Sequence, residues 1–146
     1  MNIEKIFYKN MAYQFRPNDV DELLNYFNKK RGWIYIAKSK DNTFLKIGRT
    51  AKDPLTRAKS LSSTGVLNPY EIIFSVKVFN QFFCEKEIHN SLSKYRISKE
   101  FFNTNIDFAV KTIESVVKKE ELILEKYFDI DLLKDDINLV SLAMKY

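Results

Sequence analysis

The stretch Gly32–Thr50 reads G-W-I-Y-I-A-K-S-K-D-N-T-F-L-K-I-G-R-T, and it decides the fold that we predict for this chain. Two short apolar runs within it, Trp33–Ala37 and Phe44–Ile47, alternate their side chains as half-buried β-strands do. The residues Asp41–Asn42 between them are turn-forming. The stretch therefore predicts a β-hairpin, and Gly48 near its end would let backbone or substrate approach closely. Spacing alone leaves open whether its basic edge is a solvated surface or a binding site.

Length and composition predict one globular domain. The chain has 146 residues, of which 45% are hydrophobic, and only three Gly and three Pro, which leaves little room for linkers. No apolar run approaches the roughly 20 residues that a membrane helix needs. The residues Met1–Lys5 lack the apolar region of a signal peptide. We therefore expect a cytoplasmic protein that does not contact a membrane.

A single cysteine, Cys84, excludes an internal disulfide and a zinc site built from several cysteines. A nucleophilic Cys84 with His89 as its base is an alternative interpretation. Five residues apart on a predicted helix, the two side chains would point in different directions, which disfavours it.

Positive charge is concentrated around the hairpin. Residues 32–105 hold 12 lysines and arginines against 6 acidic residues, a net charge of +6, whereas the flanks are at −1 and the whole chain is at +5. A compact basic surface is what a protein that binds the phosphate backbone needs. Ordinary solubilising charge remains the alternative.

The rest of the chain predicts one more strand and several helices. Tyr70–Val78 alternates as a third strand. Asp53–Pro54 reads as the start of a short helix that buries Leu55, after an N-terminal arm and a helix with apolar positions from Val20 to Phe27. Further helices are predicted over 80–95, 106–124 and 130–144. The prediction is an α+β fold in which a small three-stranded antiparallel sheet is flanked by helices, with an N-terminal arm and helix in 1–31, a core in 32–105 and C-terminal helices packed on that core in 106–146.

The order of several motifs resembles the GIY-YIG nuclease superfamily. The residues that carry the resemblance are G-x-I-Y at Gly32–Tyr35, K-I-G at Lys46–Gly48, Arg57, Glu85 and Asn103. More narrowly, K-I-G-R-T, D-P-x-x-R, S-S-T-G-V, E-x-x-x-H and K-E-F-F resemble a branch of stand-alone phage, viral and bacterial proteins. The resemblance covers residues 32–105, about half of the chain.

The resemblance implies a metal-dependent endonuclease with defined roles for three residues. Glu85 corresponds to the glutamate that binds Mg²⁺ or Mn²⁺, an ion that keeps most of its waters and takes other oxygens from the substrate. Tyr35 corresponds to the tyrosine that positions or deprotonates the attacking water. Arg57 corresponds to the arginine that stabilises charge on the phosphate oxygens. The structural alternatives are a surface acid paired with its helix neighbours, a core tyrosine and a solvated helix arginine.

Three further positions extend the implied site. His89 is four residues from Glu85, on the same helix face, and would shuttle a proton or orient metal-bound water unless it is a structural histidine. Asn103 matches the terminal asparagine of the family, although Asn105 is close. Lys46 departs from the family, whose second motif usually begins with tyrosine. Either Lys46 or Tyr35 must therefore position or deprotonate the attacking water, and Lys46 could instead contact phosphate.

The sequence thus predicts an endonuclease that hydrolyses DNA, expected to be double-stranded, with Mg²⁺ or Mn²⁺ as cofactor and with the chain a monomer or a homodimer. The residues predicted to contact nucleic acid are Lys38, Lys40, Arg49, Lys59, Lys99 and Asn103. The alternative function is a nucleic-acid-binding module that has kept the fold without turnover.

Overall fold

The computed structural model describes residues 20–40, 43–56 and 70–145. They fall into two compact units, one within Arg31–Val117 and the other within Met1–Lys30 and Lys118–Tyr146. The three-part division at 1–31, 32–105 and 106–146 stays a prediction. Over the described ranges, no helix is long and apolar enough to cross a membrane.

The unit Arg31–Val117 is built on one antiparallel sheet. Its strands are β1 (Gly32–Ser39), β2 (Leu45–Thr50), β3 (Tyr70–Val78), β4 (Arg96–Ser98) and β5 (Phe101–Phe102), in the spatial order β3-β1-β2-β5-β4. The α+β class is confirmed, and so are the hairpin strands and the third strand. The number of three strands was wrong, because β4 and β5 extend the sheet beside β2. Strands of two and three residues are too short to show an alternating pattern in the sequence.

The register of the hairpin places its key residues opposite one another. Tyr35 on β1 pairs with Gly48 on β2 and with Ser75 on β3. The core of the sheet comes from β-branched side chains such as Ile34 and Ile47, which are fully buried. Burial of each contributes about 1.5–3 kcal/mol. The four consecutive residues from Ile34 to Ala37 are fully buried, so both faces of β1 are covered in this part of the strand.

Helix α2 (Gln81–Ser91) follows β3 directly. It starts where the side chain of Asn80 accepts a hydrogen bond from the Phe83 N–H at 3.0 Å, which satisfies one of the free N–H groups of the first turn. A longer helix, α3 (Ile106–Leu124), starts where the Asn105 side chain accepts from the Phe108 N–H at 2.7 Å. Both helices agree with the predicted ones, except that α2 ends at Ser91 rather than at Tyr95.

The other unit contains α1 (Val20–Lys30), the end of α3, α4 (Ile130–Asp135) and α5 (Val140–Ala143). The acidic residues of α1 lie in its first turn and the basic ones in its last, as the helix dipole favours. Phe27 of α1 contacts Phe128 edge to face at 5.5 Å between ring centres. The single helix predicted over 130–144 was wrong: Asp136 has an extended backbone and caps a short 3₁₀ turn, so the segment is broken there.

Several predictions fall outside the described residues. They are the N-terminal arm, the turn at 41–42, and residues 57–69 with Arg57 and Lys59. Among the described residues just before position 57, the Asp53 side chain accepts from the Leu55 N–H at 2.7 Å, as the predicted cap requires. The predicted burial of Leu55 was wrong, because it is 68% exposed and Pro54 is the buried residue.

Candidate functional site

Helix α2 meets the sheet along the later part of β2, beyond Lys46, where β5 no longer pairs with that strand. The Ile47 N–H donates to the Glu100 carbonyl at 2.9 Å, and the Ile47 carbonyl accepts from His89 Nε2 at 2.8 Å. Two residues further along this edge, the Arg49 backbone N–H donates to the Glu85 carboxylate. Glu85 and His89 are four residues apart on the helix, a rise of about 6 Å, and Ile47 and Arg49 are two residues apart on the strand, about 6.6 Å. The spacing of the two helix side chains therefore matches that of the backbone groups along this edge. Side chains of α2 thus take the place of a neighbouring strand and fix Glu85 relative to the hairpin.

Glu85 lies mostly buried at this junction. Its side chain is 18% exposed, its Oε1 is 3.4 Å from Arg49 Nε, and its Oε2 is buried with no hydrogen-bond partner among the described residues. Burial raises the pKa of Glu85 above its ordinary value, and the negative charge of Glu100 raises it further, against the lowering effects of a positively charged His89 and of Arg49. The site therefore holds a buried carboxylate oxygen that a cation or a proton could satisfy.

Arg49 contacts the first two turns of α2. Its guanidinium reaches Glu85 and also donates from Nη1 to Gln81 Oε1 at 3.4 Å. The ring of Phe82 lies under the guanidinium, 4.2 Å from Cζ to the ring centre. Both the ion pair and the hydrogen bond are long, and the Arg49 side chain is 39% exposed, so an incoming phosphate can be reached by the same guanidinium.

Tyr35, Lys46 and Glu100 meet above Gly48. A Cβ at Gly48 would lie 2.7 Å from the Tyr35 hydroxyl oxygen and 3.3 Å from Glu100 Oε2, so only glycine fits beneath these groups. The Lys46 ammonium donates to Glu100 Oε2 at 2.8 Å and is largely buried, with 12% of its side chain exposed. Tyr35 is fully buried. The hairpin thus brings the tyrosine and the lysine of the two sequence motifs to one place.

Both ring nitrogens of His89 are occupied by protein groups. Because Nε2 donates to the Ile47 carbonyl, Nδ1 is the acceptor, and it receives Arg96 Nη2 at 3.3 Å. The ring is buried and lies 5.0 Å from that of Phe102. This geometry favours a role in holding α2 against β2 over proton transfer. Cys84, the alternative nucleophile, is fully buried.

The remaining predicted residues are more dispersed. Lys38 lies three residues beyond Tyr35 on β1, roughly 10 Å along the strand, and Lys40 is exposed just after it. Lys99 is exposed at the β4–β5 turn. Asn103 is exposed after β5, and its backbone N–H donates to the Tyr95 carbonyl at 2.8 Å. Arg57 and Lys59 lie outside the described residues.

Sequence reasoning missed Glu100 and Gln81. Gln81 is 1% exposed, donates to the Arg31 carbonyl at 3.0 Å and fills the space in which a Cβ on Gly32 would stand. Glu100 belongs to the K-E-F-F motif, and its place directly before two aromatic residues is the one feature of the sequence that could have pointed to it. The contacts of Gln81 and of Glu100 cannot be predicted from local spacing, because each depends on how distant segments of the chain pair.

The residues present fit a divalent cation of the Mg²⁺ type. Over the residues that the structure describes, no group of three or more His, Cys, Asp or Glu side chains could hold a metal. Mg²⁺ does not need one, since it keeps several waters and binds through one or two carboxylates together with substrate phosphates. Glu85, with its unpartnered buried oxygen, is the carboxylate that would hold it.

The family model of the T5orf172 domain matches residues 32–119, which include the hairpin, α2 and the β4–β5 turn. The chain belongs to the T5orf172 domain family. This is a nuclease-like domain found in phage and viral proteins. All the described residues that form the junction between β2 and α2 therefore lie inside the T5orf172 domain.

One relative is uncharacterized protein 460R of Invertebrate iridescent virus 6, which is 30% identical over 80 residues. The match covers 54% of this chain and 36% of that protein, so the chain spans about a third of the length of its relative. No solved structure matches this chain.

Proposed function

We propose that this chain is an endonuclease that hydrolyses phosphodiester bonds of DNA with the help of Mg²⁺ or Mn²⁺. One observation carries the proposal. The Glu85 carboxylate is buried with an unpartnered oxygen, beside a guanidinium that is loosely held and partly exposed. Phosphodiester hydrolysis uses a carboxylate that holds a metal ion next to a guanidinium that binds the phosphate.

Each residue contributes a separate step. Glu85 would hold the metal ion, which when bound supplies positive charge against the phosphate and lowers the pKa of a bound water. Arg49 binds the phosphate through its guanidinium, and Arg57 is assigned the same kind of contact from its place in the D-P-x-x-R motif. Tyr35 and Lys46 lie on the hairpin side and contact the attacking water or the phosphate.

We also propose that the domain works as a GIY-YIG nuclease. The support is the meeting of the first motif with the second, since Tyr35 lies over Gly48 and beside the Lys46–Glu100 pair. The edge contacts of Glu85 and His89 add the later E-x-x-x-H motif to the same unit. DNA as substrate and the double-stranded form rest on the resemblance of these motifs.

The test is cleavage of supercoiled plasmid by purified protein with Mg²⁺, with Mn²⁺ and with chelator. We expect nicking that needs the metal and that is lost in Glu85→Gln. Glu114→Gln, which removes one carboxylate from an exposed position of α3, is the matched control and should cleave as wild type does. Cleavage that survives in Glu85→Gln would show that this carboxylate does not hold the metal.

The same preparation separates the alternative function. Salt-sensitive DNA binding without cleavage under any metal condition would identify a binding module that lacks turnover. A panel of single-stranded and duplex DNA and RNA, with each metal ion, identifies the substrate. Preference for RNA would replace DNA in the proposal.

A further inference from the structure

The contact between Lys46 and Glu100 joins two parts of the chain that are distant in sequence. Their side chains form an ion pair at 2.8 Å, in which Lys46 is largely buried, with 12% of its side chain exposed, and Glu100 is about one-third exposed, at 35%. The Lys46 ammonium also lies 5.3 Å from the ring centre of Phe101. An ammonium has three N–H donors, so the pair leaves Lys46 able to donate to another group.

The backbone holds Glu100 firmly in this position. Its carbonyl accepts from the Ile47 N–H at 2.9 Å, next to Lys46 on β2. Lys99, directly before it, has a left-handed backbone with φ of 48°. A conformation of this kind is unfavourable for a non-glycine residue and persists only where its surroundings enforce it. Here Arg96 Nε donates to the Lys99 carbonyl at 2.6 Å.

The turn directs Glu100 toward the tyrosine as well. Glu100 Oε2 and the Tyr35 hydroxyl oxygen both lie within 3.3 Å of the point where a Cβ on Gly48 would stand. The carboxylate that binds the Lys46 ammonium is therefore also the one that lies near the phenol. A strained turn, an edge hydrogen bond and an ion pair together place one carboxylate between two motif residues.

We propose that Glu100 is a positioning residue that holds the Lys46 ammonium beside the Tyr35 hydroxyl, so that Lys46 donates to the attacking water or the phosphate. This rests on the proposed hydrolysis. In the ion pair Lys46 is an ammonium, which donates hydrogen bonds but has no lone pair to accept a proton. It can therefore contact the substrate, and another group must take the proton of the attacking water. Glu100 acts through Lys46 and does not itself contact the substrate.

The test is a double-mutant cycle in single-turnover cleavage of plasmid DNA with Mg²⁺. Glu100→Gln should slow cleavage by about 100-fold, as expected when a reacting group is misplaced by about 1 Å. Lys46→Met should be at least as slow, and the double variant no slower than Lys46→Met alone, because residues that act as a unit are not additive. DNA affinity should change by less than about 3-fold in Glu100→Gln, since the loss lies in the reacting complex.

The outcomes separate this inference from the function on which it rests. Wild-type protein that cleaves under no condition overturns both. Wild-type protein that cleaves, together with a Glu100→Gln rate equal to wild type or with effects that multiply in the double variant, overturns the positioning role alone. Thermal melting checks that each variant folds, and Glu100→Asp replaces Glu100→Gln if the latter does not. The exposed Glu114→Gln serves as the matched control.

Discussion

At the scale of the residue, Glu85 illustrates how a buried acid is tolerated. Its carboxylate has one charged neighbour at 3.4 Å and one backbone donor, yet one oxygen has no hydrogen bond among the described residues. Burying an ionised group without full compensation is costly, and burial is the main reason that the pKa of Glu85 is raised. The fold therefore carries a local instability at the position assigned to the metal, as functional sites often do.

This raised pKa predicts how stability depends on pH. Between the ordinary glutamate value and the raised native value, the native state binds the proton more than the unfolded state does, so the free energy of unfolding falls as pH rises through that window. Glu85→Gln removes this dependence. Without metal ions, the variant should therefore gain stability over wild type as the pH rises from acidic to neutral.

Urea unfolding at a series of pH values, with chelator present, measures this difference. Glu114→Gln is the control for the loss of one exposed carboxylate from the same unit. If the free energy of unfolding of the wild type instead rises relative to that of Glu85→Gln as pH rises, the Glu85 carboxylate is stabilised by its neighbours and the proposed instability is absent.

At the scale of the element, α2 replaces a strand along the edge of β2. Glu85 accepts from the Arg49 N–H, and His89 donates to the Ile47 carbonyl. An unpaired strand edge exposes backbone groups that need partners, and here a helix supplies them through two side chains one turn apart. The position of Glu85 is thus determined by the same contacts that cover the edge.

His89→Ala should destabilise the protein and displace Glu85. The change removes the His89 ring that donates to the buried Ile47 carbonyl, accepts from Arg96 Nη2 and packs on Phe102. We expect the free energy of unfolding to fall by about 2–4 kcal/mol, from the lost hydrogen bonds and the cavity together. Urea denaturation measures this, with the exposed neighbour Asn90→Ala as the matched control.

The pH dependence of cleavage tests whether His89 has a further role. A positioning histidine leaves the shape of the pH profile of His89→Gln like that of wild type, at a lower rate, because no proton passes through its ring. Loss of one limb of the profile in His89→Gln, with unchanged stability, would instead identify proton transfer by His89.

At the scale of the whole molecule, the positive charge lies where the motifs lie. Residues 32–105 carry the net charge of +6 and include the exposed Lys40 and Lys99, on turns at two different parts of the sheet. Charge on such turns binds the phosphate backbone without reading sequence, and its contribution depends on salt through the release of counterions.

Replacing these two lysines should reduce the salt dependence of DNA binding. In Lys40→Gln with Lys99→Gln, the slope of log affinity against log salt should fall in magnitude by about 2, since each lost phosphate contact removes about 0.9. Fluorescence anisotropy with a labelled duplex over a range of salt concentrations measures the slope. The exposed Lys119→Gln, outside residues 32–105, is the control, and an unchanged slope in the double variant would place the DNA elsewhere.

Local patterns in the sequence were enough to predict the hairpin, the third strand and the chemistry of their side chains. Alternation predicted β1, β2 and β3, and helical spacing placed Glu85 and His89 on one helix face. These are local patterns with periods of two and 3.6 residues, which short-range sterics and burial impose on any chain. The net charge of +6 indicated that residues 32–105 hold the basic surface. The strand Phe101–Phe102 is too short to show a period and was not predicted. The break at Asp136 in the helix predicted over 130–144 was also missed.

The contacts between distant side chains could be found only in the folded chain. Glu100 reaches Lys46 because β5 pairs with the start of β2, and Glu85 faces the Arg49 N–H because α2 lies along the part of the same edge that β5 leaves unpaired. Such contacts depend on the register between distant segments and on a strained turn at Lys99, and neither has a local signature in the sequence. The hairpin Gly32–Thr50 was therefore readable as an element, whereas the carboxylates that converge on its second strand had to be seen in three dimensions.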